Sequence, residues 1–242
     1  MLGLVNMLSS SKPSSSDWTP ANISSLIAWY KFDEGISTYF VGGSANNHVV
    51  SEWRDKSGSN NHLTDTSTPA QTASYNTTHP KQDQTSKRVI FDHGGDSLRL
   101  TTSLDLGSFS VTMRIFPDGT WSDFIWEDAS GNNFLKIQTA EQARVKIDGS
   151  RHDFNLPEEL SDDEIFNISW ERNQEGVIQI YIDGVAGTQS GTGDGTEDIT
   201  ELLTIEKIGE PMNAMEVAEI VICNNALSSR DRDNLQTYLD NI

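Results

Sequence analysis

The acidic side chains are the first place to look for bond-breaking chemistry. Glycosidic hydrolysis needs two carboxyl groups flanking the scissile bond, about 5–5.5 Å apart for retention. A Glu-x-Asp-x-x-Glu run on one strand would supply them, and no such run occurs. Glu158, Glu159, Asp162, Asp163 and Glu164 follow Pro157 and precede an apolar segment, the pattern of a solvated loop or helical turn. Glu216 and Glu219 stand three apart, so strict strand alternation turns them to opposite faces. His48, His62, His79, His93 and His152 never fall at zinc-ligand spacing, and one cysteine, Cys223, cannot complete a zinc site. There is no Gly-x-Ser-x-Gly elbow, no P-loop and no dinucleotide fingerprint. A Ser/His/Asp triad leaves no local spacing to read, because its members need not be close in sequence. The expectation is a chain that is not an enzyme and requires no cofactor. Binding remains: a glycan platform needs an exposed ring beside polar groups, and Tyr39, Phe40, Trp121 and Trp126 are the candidates. Trp121 follows the turn Asp118-Gly119, while core burial competes for each of the four.

Charge narrows the partners. The 17 basic side chains against 36 acidic ones give a formal net charge of −19. A phosphate backbone demands clustered Lys and Arg, so neither nucleic acid nor an anionic membrane surface is an expected partner. With 35% hydrophobic residues, six Trp and nine Phe, the 242-residue chain can bury a large core, sized for one all-β domain. The lone Cys223 lies in the apolar run Ala218–Cys223 and reads as a core filler. The absence of any disulfide fits folding in a reducing cytosol. Met1–Leu8 is apolar but lacks the basic flank and length of a signal peptide.

The elements that must position these groups are strands. Leu26–Phe32 reads as a buried strand that ends at Gly35. Arg88–Phe91 and Ser97–Leu100 flank His93-Gly94-Gly95-Asp96, a hairpin or corner. Phe109, Val111, Met113 and Ile115 alternate along one face. Short strands follow at Phe124–Glu127, Asn133–Gln138 and Ala143–Ile147. The clearest hairpin joins Phe166–Arg172 to Val177–Ile182 and is closed by Asp183-Gly184. Arg172 and Asp183, at its ends, read as solvated charges. After a Gly/Thr/Asp loop at 188–198 come Leu202–Ile208 and Val217–Cys223. One helix closes the chain, with Ser228 as N-cap and Asp231 as reciprocal partner. Leu235, Tyr238, Leu239 and Ile242 form its apolar face, expected against the sandwich edge. Strands without βα alternation or repeats predict an antiparallel β-sandwich.

Five segments in order resemble the laminin G-like branch of the concanavalin A-like jelly rolls. They are Leu26-Ile27-Ala28-Trp29-Tyr30-Lys31-Phe32, Trp53-Arg54-Asp55-Lys56-Ser57-Gly58-Ser59-Asn60-Asn61-His62-Leu63, and Val89-Ile90-Phe91-Asp92 with its Gly-Gly-Asp turn. Trp170-Glu171-Arg172 through Tyr181-Ile182-Asp183-Gly184, and Ala218–Ile222 running into Ala226-Leu227-Ser228, complete the set. The resemblance covers residues 18–242 and implies an all-β concanavalin A-like jelly roll with a C-terminal helix. It also implies a calcium ion at the sandwich rim, held by carboxylates and carbonyls in a six- to eight-oxygen shell. Asp92, Asp96, Asp194 and Asp198 are the loop donors for it, although no contiguous Asp-x-Asp-x-Asp-Gly loop exists.

Residues 1–17 read as a separate unit, an apolar octapeptide on a Ser-rich linker. A disordered tail and a docking arm are both compatible with it. As an arm, Leu2, Leu4, Val5, Met7 and Leu8 are the anchoring side chains. The opening Met-Leu-Gly-Leu-Val-Asn, the Ser-rich linker and Trp18-Thr19-Pro20 resemble structural proteins of tailed bacteriophages. That resemblance implies a virion structural protein: a capsid decoration, head fibre or tail-associated part, made in the host cytoplasm and displayed on the virion surface. Its partners would be capsid proteins and copies of itself, with a trimer implied by phage fibres. The alternative is a lectin-like adhesin for host polysaccharide, with Ca²⁺ the candidate ion.

Overall fold

The structure is a computed structural model and describes residues 18–40, 48–65, 79–92, 95–117, 123–162, 164–209 and 215–242. The arm candidates Leu2, Leu4, Val5, Met7 and Leu8 lie outside the described residues, as does Trp121. The strands begin with β1 (Leu26–Lys31), β2 (Ile36–Phe40), β3 (His48–Trp53), β4 (Leu63–Thr64), β5 (Lys81–Asp83) and β6 (Arg88–Phe91). Next come β7 (Ser97–Leu106), β8 (Phe109–Pro117), β9 (Asp123–Glu127), β10 (Phe134–Thr139), β11 (Gln142–Ile147) and β12 (Ser150–Asn155). Then β13 (Phe166–Arg172), β14 (Ile178–Ile182), β15 (Val185–Ala186), β16 (Thr188–Gln189), β17 (Leu203–Gly209) and β18 (Met215–Cys223) lead to the helix α1 (Ser229–Leu239).

All pairings among these strands are antiparallel, and they form two layers. One runs β15–β14–β13–β8–β18–β1. The other runs β16–β12–β11–β10–β9–β17–β7–β4–β3–β2. β6 pairs with β18 and β5, and β5 reaches β3, so this pair stitches the layers together along one side. The Gly95-Asp96 segment is therefore a corner between layers rather than a hairpin. The fold is the expected antiparallel β-sandwich with one C-terminal helix.

The alternation seen in the sequence sorts the side chains. Phe109, Val111, Met113 and Ile115 of β8 join Ile168 and Trp170 of β13 and Val145 and Ile147 of β11 in the core between the layers. The two-residue turns obey their chemistry. Asp148-Gly149 and Asp183-Gly184 have φ of 44° and 92°, and 47° and 77°, as a tight hairpin with both central residues left-handed requires. Missed by sequence reading were β2, β3 and β12, whose polar residues mask the alternation, and β4, β5, β15 and β16, whose two or three residues are too short to show one. In β12, Asp153 is neutralised across the sheet by Arg144 at 2.5 Å and beside it by Arg151 at 2.6 Å.

β8 is buried along its whole length because its second face is covered too. α1 lies on that outer face, not at an edge. Its Leu235 and Leu239 pack with Trp29 of β1 and Val221 and Cys223 of β18. Arg232 pairs with Glu171 of β13 at 2.7 Å and stacks on Tyr181 of β14. The Ser228 hydroxyl accepts the Asp231 amide at 3.1 Å, as an N-cap should. The Asp231 carboxylate, one methylene shorter than Glu, takes the Ser228 hydroxyl at 2.8 Å. Ile242 departs from the expected apolar face: the helix stops at Leu239, and Ile242 stands exposed beyond it.

Two expectations about charge are overturned. Arg172 is not a solvated strand end; it is 0% exposed and its guanidinium donates to backbone carbonyls. Asp183 accepts the Asn167 amide at 2.9 Å and so fastens its hairpin. Glu216 and Glu219 do not oppose each other either. A bulge between Val217 and Glu219 shifts the β18 register, so Val217 and Ile220 both enter the core and both glutamates turn outward.

Candidate functional site

That bulge builds one wall of a groove of about 460 Å³ beside the end of α1. Its lining includes Lys31, Asp33, Lys87, Arg88, Arg114 and Glu219, with Phe32, Phe116, Ile165 and Ile242 as apolar surface. The volume lies in the roughly 300–1,000 Å³ range of small-molecule sites. Lys87 sits at the lip because the β5–β6 turn puts it there in a left-handed conformation, φ 58°. The turn is held by Asp83, which accepts the Thr85 amide at 2.8 Å and the Ser86 hydroxyl at 2.7 Å. Arg88 opens β6 and lays its guanidinium over the Phe116 ring. Its Nη1 reaches Glu216 at 2.7 Å. Arg114 of β8 donates to Asn167 Oδ1 at 3.3 Å and to the Ile242 carbonyl at 3.4 Å. Burial holds its pKa below the ordinary arginine value. No sequence motif pointed to these residues, since the four cations come from β1, the β5–β6 turn, β6 and β8 and meet only through the fold.

Glu219, on the inner wall, is 1% exposed. Burial pushes its pKa up to about 7, against the opposing pull of the Trp29 and Tyr238 side chains. The Trp29 indole donates to it at 2.6 Å. Folding therefore favours the protonated form, and the stability Glu219 confers is complete below about pH 4.5. It declines as the pH rises toward 7, where the folded group also ionises. At about 1.4 kcal/mol per unit, the decline amounts to about 3 kcal/mol. Glu219→Gln keeps an acceptor for Trp29 without the charge. The variant should match the parent near pH 4.5 and exceed it by about 2–3 kcal/mol at pH 8 in urea unfolding. An unchanged pH slope would refute this account.

The sequence-derived binding candidates fare differently. Trp126 is 0% exposed, inside the core with its indole nitrogen 3.3 Å from Met113 Sδ, so it cannot be a glycan platform. Tyr39 is partly exposed in β2, its hydroxyl 3.5 Å from Asp65 and 3.4 Å from His79. Burial lifts its pKa to about 12. Phe40 ends β2, and its side chain lies outside the described residues. Tyr39 does not line the groove. Cys223 is buried and its thiol is pushed up to about 12 by that burial, which leaves it a core filler.

The four calcium candidates occupy two separate stretches. Asp92 pairs with Lys81 at 2.6 Å and gives its amide to buried Asp96 at 3.0 Å. Asp194 and Asp198 hold the amides of Thr196 and Thr200, each at 2.9 Å. Those bonds keep both carboxyls below the ordinary range. Among the described residues no three His, Cys, Asp or Glu gather closely enough to hold a metal ion. The acidic run keeps Glu158, Glu159, Asp162 and Glu164 at the surface; Asp163 lies outside the described residues.

No protein-family model matches the chain, and neither does any curated protein. Solved structures do match. The botulinum neurotoxin serotype D binding domain aligns with a TM-score of 0.58 at 15% identity over 90% of this chain and 52% of that one. A botulinum neurotoxin type C structure, from work describing cell entry dependent on two ganglioside molecules, gives 0.52 at 16% identity over 86% and 52%. Trypanosoma rangeli sialidase in complex with sialic acid gives 0.52 at 12% identity over 91% and 34%. The chain thus spans about half of the toxin chains and a third of the sialidase. At such identities the likeness is one of fold: an all-β sandwich.

Proposed function

We propose that this chain is a non-catalytic, lectin-like module that binds a glycan in the groove beside α1. The observation that carries the reading is the groove itself: a recess of saccharide size, cationic and apolar at once, on a chain of net charge −19. The fold supports it, since matching structures include toxin binding domains and a sialidase described with ganglioside, sialylated ligand or sialic acid. Those ligands belong to proteins of which this chain matches only a part, so fold likeness supplies the class and the groove supplies the site. Glu216 and Glu219, although on one face, do not form a hydrolytic pair: one is tied to Arg88 and the other lies buried against Trp29.

The purified chain on a broad glycan array should bind a limited class of saccharides well above background. A folded protein that binds nothing on the array would overturn the reading. Repeating the array with a chelator tests the calcium expectation, and loss of signal would assign an ion to the site. A finer form places the module on a virion, attached through residues 1–17 and present as a trimer. Quantitative mass spectrometry of purified particles decides that form, tens to hundreds of copies per particle supporting it.

A further inference from the structure

We infer that the ligand of this groove is a saccharide bearing a carboxylate, met by Lys87 and Arg88 at the lip while Ile165 and Ile242 take the apolar face of the sugar ring. The inference rests on the glycan-binding reading and adds the ligand class. It begins from charge. Only 17 of the chain's side chains are Lys or Arg, against 36 acids, yet four of those cations line this one recess, with Asp33 and Glu219 as the opposing acids. Lys31 is engaged with Asp33 and Glu34 at 3.2 Å each, which leaves Asp33 already neutralised. Arg88 is likewise paired with Glu216, so the uncompensated positive charge lies at Lys87 on the lip and at buried Arg114 behind it.

Lys87 serves no visible structural purpose. Its turn is fastened by Asp83, Thr85 and Ser86, and its own ammonium is exposed without a hydrogen bond or ion pair among the described residues. It also occupies a left-handed backbone position, where a lysine is conformationally disfavoured relative to glycine. Arg88 has donors to spare. Glu216 takes Nη1 and Nε is buried, while Nη2 makes no bond among the described residues and is the donor left for a ligand. Planar guanidinium groups with unfilled donors suit carboxylates, which accept two parallel bonds. Stacking on Phe116 fixes the plane of this one before any ligand arrives.

The walls argue for a sugar acid over a bare anion. Ile165 is 42% exposed and Ile242 48% exposed, and both stand on this groove. Large apolar side chains left open beside a polar recess are what an amphipathic ligand covers. A pyranose presents such a face through its C–H groups, and an inorganic anion does not.

Two sources supply a carboxylated ring, hexuronates and sialic acids, and the test separates them. ¹⁵N–¹H spectra of the full chain would be followed during titration with trigalacturonate, its neutral methyl ester, 3′-sialyllactose, lactose and sodium acetate. Binding of trigalacturonate, sialyllactose or both, with amide shifts at Lys87, Arg88 and Ile165, supports the inference, and their ranking names the source. The ester and lactose should bind at least about tenfold more weakly, a gap of about 1.4 kcal/mol. Lys87→Gly should weaken the charged saccharide about threefold, in the range of one exposed ion pair. Glycine is at home at φ 58°, so that variant keeps the fold. Arg88→Gln should weaken binding about tenfold. Equal binding of acid and ester overturns the charge requirement but leaves the lectin reading standing. Acetate displacing the saccharide at equal concentration reduces the site to an anion pocket and overturns it as well. Shifts confined to another surface overturn the site, and silence from every saccharide here and on the array overturns both readings.

Discussion

Replacing Arg172 with methionine is expected to remove about 4 kcal/mol of folding stability, with a fall in Tm of roughly 8–16 °C. The guanidinium is fully buried at the end of β13. Its Nε donates to the Gly107 carbonyl, its Nη1 to Asp198 at 3.3 Å, and its Nη2 to Leu106 at 2.9 Å and Glu201 at 2.8 Å. One side chain thus ties the β7–β8 turn to the loop that leads into β17. Burial lowers its pKa to about 10, and the acidic side chains of Glu197, Asp198 and Glu201 oppose that. The group stays charged at neutral pH. Methionine fills similar volume but offers no donor, so buried carbonyls are stranded and three acids lose their counter-charge. Arg172→Lys should recover less than half of the loss, because one ammonium cannot span carbonyls on two segments. Urea unfolding followed by tryptophan fluorescence measures both variants. A loss under about 1 kcal/mol for methionine would mean that the two segments hold together without the staple.

The same residue shows where sequence reading stops. Arg172 lies at the end of an alternating strand next to Asn173, a place where charges usually face water. What buries it is the arrival of Gly107 and Glu201 from 65 and 29 residues away, and no local pattern encodes that. By contrast, β8, the β13–β14 hairpin and the Asp183-Gly184 turn were legible, since their signals are period two and left-handed dipeptides. Trp126 was misplaced as a surface candidate because a tryptophan's type does not say which side of the sheet it takes. Its register against Leu135 and Ile208 does. Glu219 was assigned to the wrong face because the β18 bulge inserts one residue, and an inserted residue inverts everything after it. The groove inherits both difficulties. Its cations are dispersed in sequence, and one of its walls exists only because of the bulge.

Asp55→Ala is expected to destabilise the chain by about 3–5 kcal/mol, nearly as much as any single change outside the apolar core. Asp55 Oδ1 accepts the amides of Trp29 at 2.9 Å and Ser57 at 2.8 Å. Oδ2 accepts the Asn61 amide at 3.0 Å and the Ser57 hydroxyl at 2.8 Å. Asn61 in turn donates to the Ile27 carbonyl at 2.8 Å, and the Tyr30 hydroxyl donates to the Asn61 carbonyl. The segment from Trp53 to Leu63, one of those carrying the family resemblance, is therefore a clasp on β1. Its hydrogen bonds hold a backbone in place. Asp55→Asn discriminates this from a simple size requirement. An amide has one accepting oxygen, and its NH₂ would face donors, so asparagine should fare little better than alanine. Calorimetric unfolding of both variants tests this, and a near-native asparagine variant would sink the account. β1 also carries Lys31 into the groove, so the clasp and the binding site share a strand. If the clasp is purely structural, saccharide affinity per folded molecule should not change in Asp55→Asn at temperatures where it remains folded. A selective loss of affinity with the fold intact would instead make the Asp55 loop part of the site.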